Sequence, residues 1–378
     1  MIDFTQVDRT LTDLCCQGKV PSATLCVYHR GRIVHEGAYG CPDPEIGVPA
    51  TLDTRYDMAS LTKLFCSTAF MRLVEQGVFS LEEKVCESFP AFTGMRDIIP
   101  MANELDKGQT DATVHGQCDA GLVTWYHVLT HTSGMGWLAM NKRPSLEAAL
   151  QEILTMPFAY ATGSTVLYTD LGLILMGLAM EKRTGILLDD LVDQLVAQPL
   201  GLTHTGYLRN SAHRDATNVA PTEFCAWRGY RVHGRVHDEN AFLLDGVAGH
   251  AGLFSTARDA ATLCQDYLTS YQGGKGLIST GMVRRMASFQ AQNDWDRRGI
   301  AWQLRLLDPE AHSYPLSANA FGHTGFTGTC MWIDPDRDMT FALLTNEVYN
   351  GRENRTLIEV RGKMVQALVA AVDAEAAQ

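Results

Sequence analysis

Runs of β-forming residues crowd the two ends of this chain and leave its middle to helices. Near the start, residues 22–29 and 32–39 are rich in such residues and are separated by Arg30-Gly31, the pattern of a hairpin. Near the end, strands are predicted over 299–307, 329–334 and 339–346. The last two flank Asp334-Pro335-Asp336-Arg337-Asp338, a strong turn signal. Helical spacing predicts helices over 3–17, 60–76, 124–129, 145–155, 170–184, 188–197, 257–271, 279–288 and 355–372. A short strand over 55–58, a helical turn beginning at 81–85 and a long polar surface loop over 93–121 complete the reading. The expected class is α/β (α+β): an antiparallel sheet built from both termini and flanked by helices, with an all-helical lobe inserted. Residues 1–60 and 245–378 would form the mixed lobe and 61–244 the helical one, with a functional site at their junction.

A chain of 378 residues can bury a large core, and 46% apolar with 20% charged residues describes an ordinary folded protein. The formal charge of −12 argues against a nucleic-acid partner, since phosphate binding needs clustered Lys and Arg. The longest apolar run, Leu171 to Met180, is about half of a membrane span. Residues 1–8 show neither a basic nor an apolar signal region, so a cytoplasmic location is expected. The 10 cysteines lack any C-x-x-C or regular spacing, which fits reduced thiols better than disulfides or a structural zinc site.

Three stretches carry candidate chemistry. In Met58-Ala59-Ser60-Leu61-Thr62-Lys63, Ser60 and Lys63 lie three positions apart at the head of a helix, so their side chains share a face. A desolvated lysine loses basicity and can take the proton of that serine. In Tyr168-Thr169-Asp170, a tyrosine just before a helix can be a buried base if a cation such as Lys63 stands beside it. In Phe321-Gly322-His323-Thr324-Gly325-Phe326, dense glycines at a strand start suggest close backbone approach, and the N–H of Phe326 could pair with that of Ser60 as an oxyanion hole. Each stretch alone has a plainer reading: a helix cap with a solvated lysine, an aromatic core anchor with Asp170 as cap, and a tight turn or bulge.

Taken in order, the three stretches resemble the serine β-lactamase and penicillin-binding-protein superfamily, in the branch similar to class C β-lactamases and DD-peptidases. Its pattern of S-x-x-K, Y-x-N and K-T-G is matched by Ser60-x-x-Lys63, Tyr168-x-Asp170 and His323-Thr324-Gly325. Segments 129–135 and 249–256 and the Asp334-Pro335 hairpin extend the resemblance over nearly the whole chain. It implies a Ser60 acyl-enzyme, with Lys63 and Tyr168 sharing the acid and base roles. The N–H groups of Ser60 and Phe326 would hold the oxyanion, and neither cofactor nor metal would be needed. Asp170, His323, Thr324 and Gly325 would contact substrate.

Two departures bear on specificity. His323 stands where the family has a lysine that helps recognise a carboxylate, and a histidine is mostly neutral above its reference pKa near 6.5. Asp170 stands where the family has an amide, and a carboxylate only accepts hydrogen bonds. Both count against efficient β-lactam hydrolysis. Residues 220–223, 227–229 and 234–241 look like a bacterial branch that includes N-acetylmuramoyl-L-alanine amidases and penicillin-binding-protein-like cell-wall hydrolases. There, His237, Asp238 and Glu239 are candidate site-wall residues or part of a hydrogen-bonded turn. His250 is read as structural, and no ligand cluster accompanies His233, His237 and Asp238 to make a metal site. The expectation is a serine hydrolase acting on a small-molecule or peptide substrate, favouring a peptidoglycan-derived peptide or muropeptide. The alternatives are a broad carboxylesterase, a weak β-lactamase or DD-carboxypeptidase, and a non-catalytic penicillin- or peptide-binding protein. A monomer or homodimer without membrane attachment is expected.

Overall fold

The computed structural model describes residues 2–100, 116–212, 216–307, 314–353 and 357–376, the side chains of 357–360 and 376 excepted. Its centre is an eight-stranded antiparallel sheet. In chain order the strands are β1 (Ser22–His29), β2 (Arg32–Gly40), β3 (Ala291–Gln292), β4 (Arg297–Arg298), β5 (Gln303–Leu304), β6 (Phe321–Thr324), β7 (Cys330–Asp334) and β8 (Met339–Thr345). They lie in the order β3-β4-β5-β6-β7-β8-β1-β2, so the N-terminal hairpin pairs with the last strand, Ala23 opposite Thr345.

Side chains along a strand alternate between faces, and here both faces are covered. Ala23, Leu25 and Val27 of β1, with Phe341 and Leu343 of β8, meet α1 (Thr5–Cys16) and the C-terminal helix α5 (Leu357–Ala376). Cys26, Ala342 and Leu344 face the other way, into the larger core containing α4 (Ala257–Tyr271), α2 (Thr62–Glu75) and α3 (Leu171–Thr184). That two-sided burial is why these strands read as apolar runs. α2 is buried on nearly every side from Thr62 to Met71, the signature of a helix inside a core rather than on its surface.

The predicted elements survive with adjustments. The expected strand over 299–307 is only Gln303–Leu304, because a turn at 299–302, with Ala301 at φ 67°, separates it from β4. The helical turn begins at Val85 rather than 81. The loop expected over 93–121 contains a strand pair, Met95–Asp97 with Gln117–Asp119, and its portion 101–115 lies outside the described residues. The helix predicted over 188–197 runs from Leu188 to Val192 and then widens into a π-helical turn over Asp193–Ala197. Among the described residues, no helix is long and apolar enough to cross a membrane.

Candidate active site

Ser60 is placed by a strand, a strained residue and a helix. Tyr56–Asp57 pairs with Leu253–Ser255, and Ala59 then takes a left-handed conformation at φ 45° before the 3₁₀ turn Ala59–Leu61 opens into α2. The buried Asp57 carboxylate fixes this turn, accepting from Ala59 N–H at 2.8 Å and from His237 N–H at 2.6 Å. Burial pushes the Asp57 pKa up, and those two backbone N–H groups offset only part of the rise.

Lys63 is the second residue of α2, one turn on from Ser60 and 2% exposed. Its Nζ donates to Ser60 Oγ at 2.9 Å and to the carbonyl of His250 at 3.3 Å, and contacts Asp170 Oδ1 at 2.7 Å. Burial acts to lower the Lys63 pKa, but Asp170, with Tyr168, outweighs it and leaves the amine above its ordinary value. The expected loss of basicity by desolvation is therefore corrected. The cause is the carboxylate at position 170, which turns to Lys63 and makes no side-chain cap bond to α3.

Tyr168 is held between two cations, Lys63 Nζ at 4.8 Å and Arg298 Cζ at 4.9 Å from its ring centroid. Its hydroxyl is buried without an aligned hydrogen-bond partner among the described residues. The segment around His131 shapes this part of the site: the His131 carbonyl accepts from Leu167 N–H, its ring lies 4.6 Å from that of Tyr168, and Thr169 Oγ1 donates to Gly136 O. Burial, followed by the charges of Arg298 and Lys63, pushes the His131 pKa well down.

On the sheet side, β6 brings His323-Thr324-Gly325 against the serine turn. A Cβ at Gly325 would stand 2.1 Å from Thr329 Oγ1 and 2.7 Å from Met58 O, so only glycine permits this approach. Thr327 Oγ1 and Thr329 Oγ1 donate to the carbonyls of Asp57 and Met58. Phe326 follows at once, its ring stacked on His237 at 5.5 Å. His323 is buried, and burial together with Arg298 and Lys63 pushes its pKa well below the usual value. Arg298 Nη1 donates to His323 Nε2 at 3.1 Å, which leaves Nδ1–H to donate to Thr324 O at 2.7 Å. Arg298 also pairs with Asp296 at 2.7 Å. The site does hold a fixed positive charge beside the missing strand lysine, in a residue that sequence reasoning passed over.

His237 and Asp238 do not act alike. His237 is buried, with Nε2 against Glu223 Oε1 at 2.9 Å, and braces Asp57 and Phe326. Glu223 in turn receives Arg352, which also pairs with Glu239. Asp238 is half-buried and pairs with His250 Nε2 at 2.8 Å while capping the helix Glu239–Leu243. Burial opposes the Asp238 charge, but His250 holds its carboxyl well below the usual range. His233 turns away, to the carbonyl of Val219, so it shares no ligand set with His237 and Asp238. Asp170, Asp238 and His250 do converge, with donor atoms within 4.8 Å of one another, and Lys63 Nζ contacts the first of them. His250 thus adjoins the site through its carbonyl, beyond the purely structural role expected of it.

Ser60, Lys63, Tyr168, Asp170 and His323 are thus gathered around one point, with Gly325 and Phe326 against the serine turn. Asp57, His131, Glu223, Arg298 and Arg352 were not singled out as site residues, although His131 and Glu223 lie within the family-like segments 129–135 and 220–223.

Comparison with known proteins bears on the family and the fold. The sequence matches the family described as Beta-lactamase over residues 6–363. It is 33% identical to the N-acetylmuramyl-L-alanine amidase of Bacillus subtilis (strain 168), over 90% of this chain and 81% of that protein. It is 29% identical to an Escherichia coli (strain K12) protein named "Putative D-alanyl-D-alanine carboxypeptidase", over 92% and 83% respectively. In fold it is similar to the octameric penicillin-binding protein homologue from Pyrococcus abyssi, with a TM-score of 0.73 at 19% identity, over 98% of this chain and 78% of that one. The chain belongs to the β-lactamase family of serine hydrolases.

Proposed function

We propose that this hydrolase cleaves an amide or ester bond through an acyl-enzyme on Ser60, and that its substrate is a peptide or muropeptide derived from peptidoglycan. The observation that carries the reading is the 2.9 Å hydrogen bond from Lys63 to Ser60 Oγ, made beside the Tyr168 ring. Ser60 Oγ bonds to the carbonyl carbon as its proton passes to the Lys63–Tyr168 pair. The carbonyl electrons move onto oxygen, facing the N–H groups of Ser60 and Phe326. When the carbonyl reforms, the bond to the leaving group breaks and the pair returns the proton to it. Water then releases the acyl group by the same steps in reverse roles.

The muropeptide choice draws on the similarity to the Bacillus subtilis amidase. It also draws on the pocket: His323 has both ring nitrogens engaged, and Asp170 is engaged with Lys63. Neither offers a free donor to a substrate carboxylate, and the nearby Arg298 is already bound to Asp296 and His323, which disfavours β-lactams and C-terminal D-alanyl groups. The same observation favours, as a second reading, a carboxylesterase acting on uncharged esters. Labelling by a fluorophosphonate in the native protein and in Ser60→Ala, with turnover of an N-acetylmuramoyl peptide, a p-nitrophenyl ester and a chromogenic cephalosporin, separates these. Ser60-dependent labelling with the highest kcat/KM on the muramoyl peptide is expected. Preference for the ester selects the second reading, and preference for the cephalosporin overturns the reading of His323. Absence of any Ser60-dependent reaction leaves a ligand-binding protein.

A further inference from the structure

We propose that Asp170 works on Lys63 rather than on the substrate, as a buried counter-ion that fixes Lys63 as an ammonium and leaves Tyr168 to accept the Ser60 proton. The proposal rests on the Ser60 acyl-enzyme reading and divides its acid and base roles.

The contacts at Lys63 Nζ carry it. The amine donates to Ser60 Oγ at 2.9 Å and to the His250 carbonyl at 3.3 Å, and Asp170 Oδ1 lies 2.7 Å away in an ionic contact rather than an aligned hydrogen bond. A carboxylate this close favours the charged form of a buried amine. An ammonium has no lone pair to receive the proton of Ser60. Its O–H is free to turn toward Tyr168, whose buried hydroxyl has no aligned partner and whose ring lies within 5 Å of both Lys63 and Arg298. Negative charge developing on that oxygen would fall beside two cations, and Arg298 cannot be deprotonated. The pair Lys63–Asp170 thus acts as one neutral unit, in which Asp170 is a positioning residue and touches no reacting atom.

The charged and titratable groups facing Lys63 come from four directions. Asp170 and Tyr168 precede α3, His250 with its partner Asp238 faces the amine from the loop before Leu253, and Arg298 and His323 belong to the sheet. His131 completes the set, its own proton affinity lowered by burial and then by the charges of Arg298 and Lys63. Of these, Asp170 is the carboxylate in direct contact with Lys63, and removing its charge leaves burial, opposed by Tyr168 alone, to draw the proton off.

The rate of fluorophosphonate labelling of Ser60, followed from pH 6 to pH 11, tests this in the native protein, Asp170→Asn and Asp170→Glu. Asp170→Asn installs the amide of the Y-x-N pattern and keeps the size of the side chain. Its alkaline limb is expected to move down by at least one pH unit, while Asp170→Glu keeps the native limb. An unmoved limb in Asp170→Asn overturns the proposal, whatever the amplitude, and a rise in KM alone for an ester substrate gives Asp170 to the substrate instead. Should Asp170→Asn not fold by circular dichroism, Lys63→Arg decides. A residue that stays charged should label Ser60 well above Lys63→Met, and equal loss in both overturns the proposal. Absence of labelling in the native protein overturns the acyl-enzyme reading as well, so the two failures are told apart.

Discussion

Ala59 illustrates how one residue can hold tension for its neighbour. A left-handed alanine costs roughly 1–2 kcal/mol, and here Asp57, accepting from Ala59 N–H, keeps it in place. Ala59→Gly removes that cost but adds backbone freedom to the unfolded chain. The variant is expected to be as stable as the native protein, or more stable by up to about 1 kcal/mol in urea, while labelling of Ser60 slows several-fold because the turn is freer. Equal labelling would mean the turn is rigid without the strain. At this scale the site was legible wherever chemistry is local. Ser60 and Lys63 are three residues apart on a helix, and Tyr168 and His323 fall in family order. Arg298 was illegible because its role is made by distance: Tyr168 and His323 reach it only after the sheet folds. Asp57 was seen only as part of a strand, since nothing in the sequence announces that a carboxylate will join the N–H groups of Ala59 and His237.

Between elements, the close contact that positions His250 is made by α3. A Cβ on Gly249 would lie 2.2 Å from the carbonyl of Leu173, and a Cβ on Gly177 of the same helix would lie 3.2 Å from Gly249 N. The helix can therefore press the 249–252 loop toward Lys63 without a side chain between them. Gly249→Ala is expected to cost about 2–3 kcal/mol, from overpacking against a backbone atom that cannot swing aside. It should also weaken Ser60 labelling, because the His250 carbonyl moves with the loop. Urea denaturation and labelling on the same sample check both, and a fall in stability with unchanged labelling would separate the loop from the site. Element type was readable wherever periodicity ran long, as in α4, which spans Ala257–Tyr271 as its spacing predicts. It failed over 299–307, where a tight turn cut the apolar run, and over 93–121, where short paired strands carry too little pattern to register.

Across the whole molecule, one charge network ties the site wall to the region after the last strand. Burial opposes ionisation of Glu223, yet His237 and Arg352 outweigh it and bring its pKa down to about 2. Its folded value lies below the unfolded one, so the stability it contributes is complete above about pH 4.5 and is lost as pH falls toward about 2. Arg352→Ala should therefore lower the melting temperature at pH 7 and flatten its fall between pH 5 and pH 2.5, which a thermal titration reads directly. Parallel curves for both proteins would remove Glu223 from the acid response.

The pairing of β1 with β8 has a consequence in time. The hairpin of β1 and β2 is made well before the strand it lies beside, with Ala23 opposite Thr345, because β8 comes far later in the chain. Until then β1 presents an open edge, and the apolar face that α5 will cover stays wet. Closing so large a loop is slow, because entropy must be lost before the pairing returns anything. The sheet is therefore completed only once β8 has been made, and its first two strands must wait until then, unpaired on one side.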